Sequence, residues 1–422
     1  MAVALAAGLF MSRLSKPLGL PSVTAYLVAG ILIGPYCLGR IGVEGLGFVS
    51  GENIASFSLL NDLALGFIAF SIGNEFRLSQ LKKIGGKATF IGIFQAVTAA
   101  LLVDAVLIVM HFTVLGDRLP VSMAIIIGAI AAATAPAATL MVVRQYKAKG
   151  KITDLLLPIV AIDDAVGLAI FSVSFGIAQG IESGEVSAVS VVVEPLAEIV
   201  FSLAAGAAAG AVFSVAEKAF SSGSKRLALS LMFIILTVAI SKIKFALGSV
   251  NIGFSPLLTL MMLGTMFCNL CDFSAEIMEK TDRWAGPLLI LFFVMSGAEL
   301  ELSILKDLAV IGIGVTYIIT RSLGKYAGAF ISAKIAGCDK ITKKYLGITL
   351  LPQAGVALGM SVTVMQSFGE MGAVVRNLVL FSVLVYELAG PLATKLALTA
   401  AGEIRPKPEE KDRKNRTAPS KI

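Results

Sequence analysis

Histidine occurs once in this chain, as His111, and cysteine four times, as Cys37, Cys268, Cys271 and Cys338. So little imidazole and sulfur, so scattered, argues against a disulfide scaffold or a histidine-based metal centre. Cys268 and Cys271 form a CxxC, but no second CxxC accompanies it, so no metal or redox role is expected there. His111 falls near an expected helix end and reads as interfacial rather than catalytic. Charge is also scarce. Only 15% of the residues are Asp, Glu, Lys or Arg, against about 25% in soluble domains. That deficit excludes an ordinary soluble protein.

Apolar runs are what the chain has instead. It is 57% hydrophobic, with a mean hydropathy of +0.88. The runs are too continuous for the alternating strands of a membrane barrel, so helices are the expected spanning elements. Thirteen segments emerge: 1–14, 20–37, 56–74, 88–111, 121–143, 154–179, 196–219, 226–247, 252–270, 284–299, 308–336, 344–367 and 374–400. The first run is short for a span and has no clear cleavage site after it, so no cleavable signal peptide is expected.

Lysine and arginine test that list. The loops after odd-numbered segments hold 19 of them, and the loops after even-numbered segments hold 6, Arg376 among the latter. The tail after segment 13 is basic too. By the positive-inside rule the tail and the 19-charge loops are cytoplasmic and the N-terminus is outside. The net charge of +7 therefore reads as loop bias, and no nucleic-acid partner is expected.

The chain repeats itself. "AFSIGNEFRLSQL" (69–81) and "FVMSGAELELSIL" (293–305) share Gly, Glu, Leu, Ser and Leu at an offset of 224. "DDAVGL" (163–168) lies over "YELAGP" (386–391) at 223, setting Asp164 opposite Glu387. The matched segments run in opposite directions through the membrane. Inverted repeats of this kind characterise secondary transporters, whose sites lie near the midplane at broken helices. Breaks are expected at "AAATAPAATL" (131–140), around Thr134 and Pro136, and at "LLPQAGVALGM" (350–360), around Pro352 and Gly355. Proline there removes a backbone donor, leaving carbonyls and helix ends for ions.

Asp163 and Asp164 stand in segment 6 roughly 15 Å from its start, near mid-membrane. Buried carboxylates are costly without partners. Consecutive helical residues point about 100° apart, so the two acids face different partners. Segment 11 offers Arg321 and, one turn on along the same face, Lys325. Pairing one acid with Arg321 leaves the other able to hold a proton or a small cation, and competition between these is the basis of antiport. Glu387 is expected to hold a structural network with a broken helix. Glu75 and Glu299 are expected to hold loops or pair with lysines, and Asp104 has no evident mate.

Together these motifs resemble the monovalent cation/proton antiporter superfamily, closest to its sodium/proton branch with an Asp-Asp motif. "LGLPSVTAYLVAGILIGP" (18–35), "GPLLILFFVMSGAEL" (286–300), "RSLGKYAGA" (321–329) and "YELAGPLATK" (386–395) carry the likeness along nearly the whole chain. The resemblance implies an all-α polytopic membrane protein of about 13 transmembrane helices, with two inverted repeats and crossed broken helices. It implies a homodimer in the cytoplasmic membrane, with dimerisation parts over 1–55 and 226–283 and a linker over 181–225. The moving core would span 56–180 and 284–402, and 403–422 would be a short basic tail. Asp164 would be the principal cation and proton carboxylate, Asp163 would pair the base on segment 11, and Thr134 and Ala135 would help hold sodium. No cofactor is implied beyond the transported sodium, or lithium, and protons. Related exchangers often have lysine where Arg321 is placed, and arginine cannot release a proton. A potassium/proton exchanger and a sodium-coupled organic-anion symporter are the alternatives, the first disfavoured by a tail too short for a nucleotide-sensing domain.

Overall fold

The computed structural model describes residues 1–15, 22–42, 47–50, 54, 56–81, 85–135, 139, 142–143, 146–182, 193–243, 245–247, 250–300 and 307–404. The side chains of a few helical residues, Asp164 and Glu75 among them, lie outside the description, as does all of Pro136.

The apolar runs fold as helices: α1 (Ala2–Ser15), α2 (Ser22–Ile33), α3 (Ser58–Gly73), α4 (Gly86–Met110), α5 (Val121–Ala131) and α6 (Lys151–Glu182). They continue with α7 (Glu194–Glu217), α8 (Gly223–Ile240), α9 (Pro256–Leu270), α10 (Ser274–Ala298), α11 (Leu308–Ile335) and α12 (Gly355–Ala400). Among the described residues six helices are long and apolar enough to cross a membrane. The helical form follows from the bilayer, where each backbone N–H and C=O needs an internal partner.

Two expectations need correction. Segment 8 was expected to stay helical to 247, but α8 ends at Ile240 and a short antiparallel pair follows, Phe245–Leu247 with Val250–Ile252. α12 itself consists of two helical stretches that meet at Gly369 (φ 52°, ψ −122°), a backbone conformation that glycine adopts without steric cost, and the break falls between segments 12 and 13. Arg376, counted above as a loop charge, is buried in α12 beyond that break. It pairs with Glu299, donates to Ser296 and Ser361, and so replaces the lysine expected for Glu299.

The helices pack as two groups. α4, α5, α6, α11 and α12 form one, with α4 lying along α11. α1, α2, α3, α7, α8, α9 and α10 form the other, with α2 on α10, α3 on α9, and α7 on α9. Segments 3 and 10 thus pack beside segments 1–2 and 7–9, a different grouping from the core expected above. Polar contacts from α12 cross between the groups: Gln366 to Asp62, Arg376 to Glu299 and Ser296, and Glu387 to Thr24.

Small residues let the second group close. Gly73 of α3 abuts the Met261 carbonyl of α9 as Gly297 of α10 abuts the Leu27 carbonyl of α2. Gly264 abuts the Phe70 carbonyl as Gly30 abuts that of Val294. The two crossings are images of each other. Phe70 and Gly73 map to Val294 and Gly297 by 224 residues, and Leu27 and Gly30 map to Met261 and Gly264 by 234. Without competing solvent, such crossings are held by close backbone approach.

Two members of the first group, α6 and α12, are also tied at one end. Glu403, just past α12, accepts from the N–H of Ile152 (2.7 Å) and Thr153 (2.9 Å) and from the Thr153 hydroxyl (2.7 Å). It caps α6 where the helix dipole favours an anion.

Gly30→Val should therefore destabilise the protein, because its Cβ has no room against α10. The expected loss is on the order of 1–3 kcal/mol, read as a lower thermal unfolding midpoint in detergent. An unchanged midpoint would show that the crossing is loose.

Candidate ion site at two unwound helices

α5 stops at Ala131, and residues 133–135 lie outside any helix. A 3-10 turn, Leu346–Leu350, likewise gives way to non-helical residues 351–354 before α12 begins. The two stretches touch: the Ala135 N–H donates to the Pro352 carbonyl at 2.8 Å, and the Thr134 hydroxyl to the Leu350 carbonyl at 3.4 Å. Both breaks fall where proline and glycine were read as interrupting segments 5 and 12.

Each break exposes carbonyls that have lost their helical N–H partners. α11 supplies the donors. Arg321 is wholly buried and gives its guanidinium to the carbonyls of Ala131 (3.1 Å), Ala133 (2.6 Å) and Leu351 (2.8 Å). It thus ties the two unwound stretches together. Its remaining face lies on the Tyr386 ring, 4.4 Å from the centroid, a cation–π contact. Tyr386 is fixed in turn by its hydroxyl, which donates to the Ile318 carbonyl at 2.7 Å. Gln353 adds a donor to the Ile130 carbonyl (2.9 Å) and exchanges hydrogen bonds with Tyr317.

Lys325, one turn on and equally buried, is the partner of Asp163. Nζ lies 2.8 Å from Asp163 Oδ2, 2.9 Å from Thr134 Oγ1, and also donates to the Ala132 carbonyl. Among the described residues Arg321 spends its donors on carbonyls, so the pairing expected of Arg321 with Asp163 is corrected to Lys325. The reason is depth. Both bases share one face of α11, but only Lys325 comes level with Asp163, while Arg321 comes level with the broken ends. Asp163 takes a second hydrogen bond at Oδ1, from Gln95 Nε2 of α4.

The other sequence candidates fall as follows. Asp164 is helical and adjacent to Asp163, its side chain outside the description. Thr134 stands in the site, held by Lys325. Ala135 borders it through its backbone. Pro352 and Gly355 flank the second break. Glu387 is buried beside Thr24 of α2, facing the other helix group rather than a broken helix, which corrects the expected network. Asp163 and Tyr386, aligned by the repeat, each meet a cation of α11, one by ion pair and one by ring face. Gln95 went unread in the sequence, since a lone amide in an apolar helix carries no pattern, and Gln353 and Tyr386 stood within quoted motifs without roles of their own. His111 holds the turn after α4 through the carbonyls of Gly116 and Leu119, and all four cysteines are free thiols.

A family model described as sodium/hydrogen exchanger, transmembrane, matches residues 1–398. The fold is similar to that of the sodium proton antiporter MjNhaP1 from Methanocaldococcus jannaschii at pH 8, with a TM-score of 0.74 at 16% identity over 96% of this chain and 97% of that one. An electron-microscopy structure of the same antiporter gives 0.67 at 17% identity, over 96% and 98%.

Lys325→Met would strand the Asp163 carboxylate in a buried site. Breaking a buried pair this way costs about 3–5 kcal/mol. Thermal unfolding in detergent should show the loss, and Asp163→Asn added to it should recover most. A double variant no more stable than the single one would overturn the pairing.

Proposed function

Since the chain belongs to the sodium/hydrogen exchanger family, we propose that the buried centre around Asp163, Asp164 and Lys325 is where its sodium ion and protons exchange. The protein is a sodium/proton antiporter and a multi-pass membrane protein. The observation that carries the site reading is the buried Lys325–Asp163 pair, 2.8 Å apart, between two unwound stretches and next to a second acid.

Lys325 occupies Asp163 and Thr134, the groups that would otherwise hold a dehydrated ion. Asp164, about 100° around the helix, is the principal carboxylate for cation and proton. Sodium arriving there, with Thr134 and the Ala135 backbone, competes with the Lys325 ammonium for oxygen ligands. Lys325 then leaves Asp163 and can surrender its proton, which arginine could not do. Protons returning from the other side rebuild the pair and expel the cation. Because the base on Asp163 is a lysine, a second proton per cycle has a carrier, and charge-moving exchange gains support.

Access alternates by movement of one helix group past the other. The mirrored glycine crossings support two inverted repeats, the usual basis of such motion. The group of α4, α5, α6, α11 and α12 carries the site and moves. The group of α1–α3 and α7–α10 stays, and offers the face for a homodimer in the cytoplasmic membrane, N-terminus outside. Lithium fits the same oxygen site, and no cofactor is needed.

The test is proton flux in proteoliposomes carrying a pH dye, driven by sodium, lithium and potassium in turn. Wild type should respond to sodium and lithium, and Asp164→Asn to neither. Equal flux in the two would sink the site assignment, and a response to potassium alone would move the protein to potassium exchange.

A further inference from the structure

We infer that Gln95 is a positioning residue of the ion site: it anchors one oxygen of Asp163 so that only the other is exchanged between lysine, proton and cation. The inference rests on the exchange reading above and concerns a residue outside the acid pair, the bases and the broken helices.

Gln95 lies on α4 and is wholly buried. Its Nε2 donates to Asp163 Oδ1 and, at 2.9 Å, to the Gly92 carbonyl of its own helix. A carboxylate only accepts, so the amide must present its nitrogen to Asp163. That orientation has a cost. Gln95 Oε1 is buried and makes no hydrogen bond among the described residues, and such an orphaned acceptor is unfavourable. Packing alone would be served better by an apolar side chain of the same size. The residue is therefore specified by its contact with Asp163.

The helix crossing fixes where the amide can be. A Cβ at Gly328 of α11 would stand 2.7 Å from Gln95 Cα, and one at Gly324 would stand 2.8 Å from Ala99 Cα. These glycines bracket Lys325. The backbone that carries the lysine is thus pressed against the backbone that carries the glutamine, and both side chains reach Asp163 from that one crossing.

The two oxygens of Asp163 consequently differ. Oδ2 faces a flexible ammonium with three rotatable donors that also serves Thr134 and the Ala132 carbonyl. Oδ1 faces an amide with little room to move. When Lys325 departs, Gln95 keeps the carboxylate in register, and Oδ2 is presented to the incoming species without a search. No charge is added in doing so.

Gln95→Met separates this from a packing role. Methionine has nearly the same length and volume but donates no hydrogen bond, so the orphaned Gln95 acceptor goes while Asp163 Oδ1 loses its donor. Thermal stability in detergent without sodium should fall modestly. The sodium concentration for half-maximal proton flux should rise roughly tenfold or more, the scale of one hydrogen bond to a charged group. Maximal flux should change less. Gln95→Glu, which keeps the length but sets a second acid against Asp163, should be worse than Met, and this second variant decides the matter if Met folds poorly. Wild-type half-saturation in both variants, in a protein that does transport sodium, would overturn the role of Gln95. Absence of sodium-driven flux in wild type itself would instead remove the exchange reading.

Discussion

Inside a bilayer a backbone carbonyl has no water to fall back on, and every break in a helix must be repaired by protein. The rest of this structure is arranged around that constraint. α5 and the turn before α12 both end in mid-protein, and the carbonyls of residues 130–133 and of Leu351 need donors. A helix of ordinary apolar composition could not supply them. α11 serves four of these five with two bases one turn apart, Gln353 serving that of Ile130, and the burial of the bases in turn requires an anion. Asp163 is that anion. Broken helices, buried bases and buried acid are therefore one electrostatic unit, and no member would be tolerable without the others.

Within the unit the two bases have divided the work by their chemistry. Arginine has a rigid fork of donors and keeps its charge, which suits the permanent task of holding two unwound strands together. Its contact with the Tyr386 ring covers the face that makes no hydrogen bonds. Lysine is a point charge on a flexible stem, which suits a task that is done and undone. The exchange of one for the other would preserve net charge and lose the division.

Much of this could be read in the sequence. Continuous apolar runs marked the spans, Pro136 and Pro352 marked the breaks, and adjacent acids in an apolar helix marked the site proposed here. The offset of 224 residues pointed to an inverted repeat, and the paired glycine crossings are in keeping with one. What escaped was depth and partnership. Periodicity places Arg321 and Lys325 on one face but says nothing of their height relative to Asp163, which the close crossing of α4 and α11 sets. Gln95 escaped because one amide makes no pattern. Arg376 was misread because charge in a sequence signals water, whereas here Glu299, Ser296 and Ser361 receive it inside the protein. The end of α8 escaped because apolar residues resume at Phe245–Leu247, beyond Lys242 and Lys244, and read as a continuation of the span.

Polar contacts from α12, on both sides of its break, join the two groups. They are spread along its length, Gln366 before the bend at Gly369 and Arg376 and Glu387 after it. They include a largely buried ion pair and a buried carboxyl, which do not stretch gradually: a hydrogen bond lengthened by an ångström is a broken one. Relative sliding of the groups would thus meet a detent rather than steady friction. The molecule would rest in this arrangement, release it over a short travel, and spend little time between.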